Sequence, residues 1–271
     1  MTEAPVNQDA VAVTTRPSPM LEVTDLQLRF GGVVALSGPS FTLGEGEILG
    51  LIGPNGAGKT TIFNCISGLY RPDSGSITLD GVDLLALRTD QIADHGIART
   101  FQNLGLYPSM TVLENVIAGA HHRTKAGFWA SALGLPSVRR EEKRELEKAR
   151  ELLSDLGLAD VADHLAVGLP YGTLKRVELA RALMVEPRLL MLDEPANGLI
   201  HEEVLELAQL VRSLSRERGF SVLLVEHHMA MVMSVSDHVV VLNFGRVISE
   251  GAPAKVQADP AVIEAYLGGS V

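Results

Sequence analysis

The nine residues from Gly53 to Thr61, GPNGAGKTT, constrain this chain more than any other stretch. Gly53, Pro54, Asn55, Gly56, Ala57, Gly58, Lys59 and Thr60 fill the pattern GxxxxGK[ST]. The mostly apolar Glu47 to Ile52 before it reads as a buried strand. After it, Ile62, Phe63, Ile66 and Leu69 recur at helical spacing, which predicts a helix over Lys59 to Leu69. A strand, a glycine loop and a helix start together form a concavity lined by backbone N–H groups at the positive end of a helix. That is a cradle for phosphate. Lys59 is expected to reach the β- and γ-phosphates of a nucleotide and the Thr60 hydroxyl to bind Mg2+. Thr61 adds a backbone or hydroxyl contact.

At 271 residues the chain can bury a sizeable core, as one α/β domain or as a core with an inserted subdomain. Hydrophobic residues make up 46% and aromatics only 4%, which favours an aliphatic interior over a stacking surface. A net charge of -10 argues against a nucleic-acid backbone as the main partner. The single cysteine, Cys65, has no disulfide partner within the chain, which fits a reducing compartment. No apolar run approaches the roughly 20 residues of a membrane span, and no signal peptide opens the sequence. The expectation is a cytoplasmic protein.

Residues 1–20 show no periodicity and read as a disordered tail, with Met20 directly before the folded domain. Strands are predicted over Leu21 to Phe30, Val33 to Leu36, Phe41 to Leu43 and Glu47 to Ile52. Arg71 to Ser76 reads as a turn cluster before a short strand at Ile77 to Leu79. A short helix over Thr89 to His95 and an extended piece over Ile97 to Gln102 follow. Between about residues 103 and 168 the character changes. Thr111 to Ala120 is helical, a segment holds Phe128 and Trp129, and Arg139 to Leu156 is a charged helix. Its Glu141–Arg144, Glu145–Lys148 and Glu147–Arg150 spacings predict ion pairs, and Leu146, Ala149, Leu153 and Leu156 a buried stripe. This block reads as a helical subdomain set into an α/β core.

The core resumes in strands at Leu189 to Leu192, Ser221 to Val225, Val239 to Leu242 and Arg246 to Ile248, with helices between the first three. Such alternation means a mainly parallel sheet covered on both faces, with ligands at the carboxyl ends of its strands. Gly53, Asp193 and His227 all fall at strand ends, so they can converge on one pocket. In MLDEP, Met191 to Pro195, Asp193 suits an Mg2+ shell of oxygen donors, and Glu194 can act as the base that activates water.

Over residues 21–268 these motifs, in this order, resemble the nucleotide-binding subunit of ATP-binding cassette transporters. The resemblance implies roles for further residues. Phe30 stands at the aromatic that stacks on adenine, and Gln102 in RTFQN at the glutamine that senses Mg2+ and water and couples to the membrane subunit. Leu169 to Leu183, LPYGTLKRVELARAL, stands at the signature motif, with Leu169, Gly172 and Thr173 facing nucleotide. His227 in VEHHM stands at the histidine that contacts the γ-phosphate. The implied fold is a P-loop NTPase core with a parallel sheet, a small antiparallel β subdomain, an inserted helical subdomain and a C-terminal extension over about 252–271. Two such subunits bind two ATP molecules head to tail, each signature facing the other's phosphate loop.

GIARTFQN, TVLENVIAGAHH, the LxYG signature and the ending EGAPAKVQADPAVIEAYLG are similar to the ATPase of branched-chain amino acid importers. That implies ATP and Mg2+ as cofactors, membrane permease subunits and a second ATPase subunit as partners, and indirectly an extracytoplasmic binding protein. It places the chain on the cytoplasmic face of the membrane. Departures stand at Pro170, Thr173, Ile200 and His228, where the family usually has Ser, Gln, a polar residue and Asp. A helix beginning near Leu174 still aims its positive end at the partner's nucleotide. Competing readings are the ATPase of a lipopolysaccharide exporter or of a urea or amide importer, a soluble ATP-binding regulator, and a small-molecule kinase.

Overall fold

The computed structural model describes residues 18–100, 104–120 and 136–267. Two sheets organise them. The first is antiparallel and joins β1 (Pro19–Phe30), β2 (Val33–Ser37), β3 (Phe41–Gly44), β5 (Ser74–Leu79) and β6 (Val82–Asp83). The long β1 is its spine. It pairs Leu28 with Leu36 of β2, Val23 with Phe41 of β3, and Leu21 with Leu79 of β5.

The second sheet holds β4 (Ile48–Ile52), β7 (Ile97–Arg99), β8 (Leu189–Asp193), β9 (Ser221–Val225), β10 (His238–Asn243) and β11 (Arg246–Gly251). Their order is β11-β10-β4-β9-β8-β7, parallel except for the β10–β11 hairpin. Every residue of β4, β8 and β9 is buried, as central parallel strands covered on both faces require. Alternate residues serve opposite faces. Leu49, Leu51, Met191 and Leu223 meet the antiparallel sheet and helix α1 (Lys59–Ile66) in one cluster. Ile48, Leu190, Leu192 and Leu224 enter a second cluster on the other face.

That second cluster includes the helical block. It takes Val112 and Val116 from α3 (Val112–Ile117), Ala149, Leu152 and Leu153 from α4 (Pro136–Asp155), and Val177 and Ala180 from α5 (Tyr171–Leu183). The short α2 (Thr89–Asp94) packs beside β7. Val204, Leu207 and Val211 of α6 (His201–Arg218) join the second cluster as well. A third, smaller cluster packs Val232 of α7 (Met229–Val235), Val256 of α8 (Pro253–Gln257) and Val262 of α9 (Pro260–Leu267) on Ile52, Val239 and Val241. The C-terminal extension is thereby bolted to the strand that enters the phosphate loop.

Several expectations need correction. The boundary at residue 20 is too late, because β1 opens at Pro19 and Met20 is buried in the core. Helix α1 stops at Ile66 rather than Leu69, since Ser67 caps it and Gly68 turns left-handed at φ 68°. Ser74 to Ser76 are strand, drawn out of the expected turn by pairing with Gln27 and Thr24 of β1. On α4 the three predicted ion pairs do not form. Lys148 instead reaches off the helix to Glu186 at 2.8 Å, while Glu147 pairs within it at i,i+4 spacing with Lys143 at 3.7 Å. Helix α5 starts at Tyr171, three residues before Leu174, with Pro170 as its N-cap. The helical core also runs past residue 168, because α5 packs against α3 and α4. Gln102, Phe128, Trp129 and residues 1–17 lie outside the described residues.

Candidate nucleotide site

Strands β4, β9 and β8 lie side by side and end together, so the segments after them meet at one rim. The first is the phosphate loop. Gly53 has φ 150°, and a Cβ there would run into the Leu242 carbonyl. Gly58 has φ 103°, and a Cβ would come within 2.9 Å of the Ala35 carbonyl and of Leu36. Only glycine fits either place. Gly245 donates its N–H to the Ala57 carbonyl and accepts from Ser37 N–H, both at 2.9 Å, so the β10–β11 turn and β2 wedge the loop.

Within the loop, Lys59 Nζ donates to the carbonyls of Gly53 at 2.7 Å and Pro54 at 2.9 Å. Burial pulls the lysine pKa down, while Glu194 and Asp193 push it up, so both carboxylates face this ammonium. The first intrahelical bond of α1 runs from Ile62 N–H to Gly58. The N–H groups of Lys59, Thr60 and Thr61 precede it and have no partner within the helix. Thr60 is exposed and Thr61 half-buried.

Asp193 ends β8. Its Oδ2 accepts from Arg99 Nη2 at 2.8 Å, with Asp193 buried and Arg99 partly buried. Arg99 Nη1 donates to Asn64 Oδ1 at 2.8 Å and Ser67 Oγ at 3.2 Å, and the guanidinium lies 5.5 Å from the centre of the Phe63 ring. Glu194 follows with φ 48°, the left-handed region that non-glycine residues avoid. Its N–H donates to the Val225 carbonyl at 2.8 Å and its carbonyl accepts from Asn197 N–H at 3.1 Å, which fixes the turn. Glu194 Oε1 lies 3.9 Å from His227 Nδ1.

Glu226 is fully buried between these loops. Glu226, His227 and His228 place donor atoms within 4.8 Å of one another. Yet both Glu226 oxygens already accept backbone N–H groups, from Ala196, His227 and His228, so this acid is a brace rather than a metal ligand.

A cleft of about 870 Å³ is lined by Gly53, Pro54, Asn55, Gly56 and Ala57, by His227 and Phe244, and by Glu264 and Tyr266 of α9. Burial pushes the Tyr266 phenol up to about 12, and the Gly53 N–H facing its oxygen opposes the shift. Phe30, at the end of β1, is about half exposed and meets Tyr70 edge-on with ring centroids 5.2 Å apart. Leu169, Gly172 and Thr173 are not among the residues lining the cleft. They sit at the start of α5, where Gly172 packs against the Glu203 carboxylate and Tyr171 against Gly198. Ile200 is exposed just before α6.

Arg99, Glu226 and Tyr266 escaped the sequence reading. Arg99 left one signal, a lone charge closing the otherwise apolar β7.

The phosphate loop, the paired carboxylates and the histidine therefore share one rim, and comparison with known proteins fixes the lineage. Residues 36–197 match the family model described as ABC transporter. This chain belongs to the ABC transporter family. Residues 246–271 match a second model, described as branched-chain amino acid ATP-binding cassette transporter. The high-affinity branched-chain amino acid transport ATP-binding protein BraF of Pseudomonas aeruginosa is 44% identical over 250 residues, covering 92% of this chain and 98% of that protein. The protein of the same description, LivG, from Escherichia coli is 42% identical over the same shares. Among solved structures, an ATP-binding cassette of an ABC transporter in its ADP conformation superposes with a TM-score of 0.81 at 31% identity. It covers 93% of this chain and 99% of its own. The cassette fold, with an α/β core and mixed sheets, holds across the whole comparison.

Proposed function

We propose that this chain is the ATP-hydrolysing subunit of an importer for branched-chain amino acids. The observation that carries the substrate class is the match to BraF and LivG over 98% of their length, together with a C-terminal extension matching the branched-chain model. The phosphate loop from Gly53 to Thr61 holds the nucleotide phosphates. Lys59 exchanges the loop carbonyls it touches for the β- and γ-phosphate oxygens, and Phe30 stacks on the adenine. The residues fit Mg2+, since Thr60 and Asp193 offer the hard oxygen donors it takes. Mg2+ when bound neutralises charge on the phosphate oxygens. Glu194 takes the proton of the attacking water, and His227 contacts the γ-phosphate. Gln102 adds to the metal shell and to coupling with the permease.

Two cassettes pair head to tail in this reading. Support comes from the place of Leu169, Gly172 and Thr173 around the start of α5, outside the lining of the chain's own cleft. No helix among the described residues is long and apolar enough to cross a membrane. Transport therefore calls for separate permease subunits, with an extracytoplasmic binding protein acting through them, and the cassette docks on their cytoplasmic face. Uptake of labelled leucine, isoleucine and valine in cells lacking this chain tests the reading. Wild-type chain should restore uptake and the Lys59→Ala variant should not. Unchanged uptake of all three in the deletion strain would overturn the substrate class.

A further inference from the structure

Arg99 stands between two parts of the site. Its Nη2 holds Asp193 Oδ2 at 2.8 Å, while Nη1 is anchored to Asn64 and Ser67 on α1. Phe63 closes the space against the guanidinium. A planar fork held at both ends and backed by a ring cannot swing away without breaking three contacts. One carboxylate oxygen of Asp193 is thereby held against a guanidinium whose positive charge and bulk disfavour a second cation there, which leaves Oδ1 as the readier donor.

That restriction separates the two common divalent cations. Mg2+ keeps an octahedral shell with several waters and takes carboxylates through one oxygen. Ca2+ takes six to eight oxygens at longer range and readily uses a carboxylate through both. We propose that Arg99 is a specificity-determining positioning residue. By leaving Oδ1 of Asp193 as the readier donor, it biases the nucleotide site towards Mg2+ over Ca2+. The inference rests on Asp193 being the metal-binding carboxylate. The Arg99 charge repels both cations alike, so its electrostatic effect cancels in their ratio and only the coordination effect remains.

The experiment uses the purified full-length chain and a fluorescent ATP analogue whose binding is followed without hydrolysis. Binding is measured in EDTA and in titrations of Mg2+ and of Ca2+, for wild type, Arg99→Met, Arg99→Lys and Asp193→Asn. Substitutions beside metal ligands typically change metal affinity about 10–100-fold. The Mg2+-to-Ca2+ preference should accordingly fall on the order of tenfold in Arg99→Met, with a smaller fall in Arg99→Lys. Lysine keeps the charge but cannot bridge to Asn64 and Ser67 together. Binding in EDTA should stay within about twofold of wild type, because the phosphate loop is untouched. A preference ratio unchanged in the Arg99 variants, even with lowered thermal stability, would make the pair a purely structural tie and overturn the proposal. Should Arg99→Met not fold, the ratio in Arg99→Lys decides by itself. Asp193→Asn should weaken the dependence on both cations. If it changes neither titration, the metal role of Asp193 falls instead.

Discussion

Ala196 donates its backbone N–H to the fully buried carboxylate of Glu226 at 2.8 Å, which ties the loop after β8 to the loop after β9. The second oxygen of Glu226 accepts from His227 N–H at 2.9 Å and His228 N–H at 3.0 Å. One acid therefore braces the two loops that carry Glu194 and His227, and its Oε2 also lies 3.9 Å from His227 Nδ1.

Replacing Glu226 with Gln tests this brace. An amide presents one acceptor and one donor end, so it can serve the histidine N–H pair or Ala196, but not both. A buried N–H left without an acceptor costs about 1–3 kcal/mol. Urea denaturation should show a loss of that order, and the ATPase rate should fall more than ATP affinity. A fully stable and fully active Glu226→Gln would mean the loops are held by other contacts.

Glu194→Gln separates binding from chemistry. The side chain keeps its shape but loses the proton acceptor. Hydrolysis should drop roughly 10²–10⁴-fold, the usual range for a general base, with ATP affinity preserved. Wild-type turnover measured with the physiological partner subunits present would assign the base elsewhere.

Cys65 supplies a pH probe that has no assigned part in the chemistry. It is buried on α1, and burial raises its thiol from the usual 9.0 to about 11. Between those values the unfolded chain loses the thiol proton while the folded chain keeps it. The folded state then binds more protons, so stability should decline as pH rises from about 9 to about 11. Cys65→Ala should remove that part of the decline, which denaturant titrations at pH 8, 9 and 10 can resolve. An identical pH slope in the variant would show that the thiol does not contribute.

The sheet and its rim were legible in the sequence because they depend on local pattern. Apolar runs ending in Gly53, Asp193 and Glu226 announce parallel strands, and the glycine spacing announces the loop. What escaped depends on contacts distant in sequence. Arg99 finds Asp193 94 residues away, and Glu226 finds Ala196 30 residues away. Neither spacing follows from any helix or strand period. The helix ends were misread for a related reason. Gly68 and Pro170 decide where α1 stops and α5 starts, while apolar spacing alone carries a helix past the first and delays the second to Leu174. On α4 the expected Glu145–Lys148 pair is absent because Lys148 has acceptors off the helix, in the Met184 carbonyl at 2.7 Å and Glu186 at 2.8 Å.

The left-handed backbone of Glu194 has a consequence for how such a chain can drift. At φ 48° a side chain with a Cβ is strained, and Asn or Gly would rest there more comfortably. A variant with either residue should melt later than wild type while losing turnover. Relaxed selection, as in a duplicated copy that no longer hydrolyses ATP, would therefore find the inactivating change downhill in stability. Position 194 is therefore where a gain in stability and a loss of turnover should coincide.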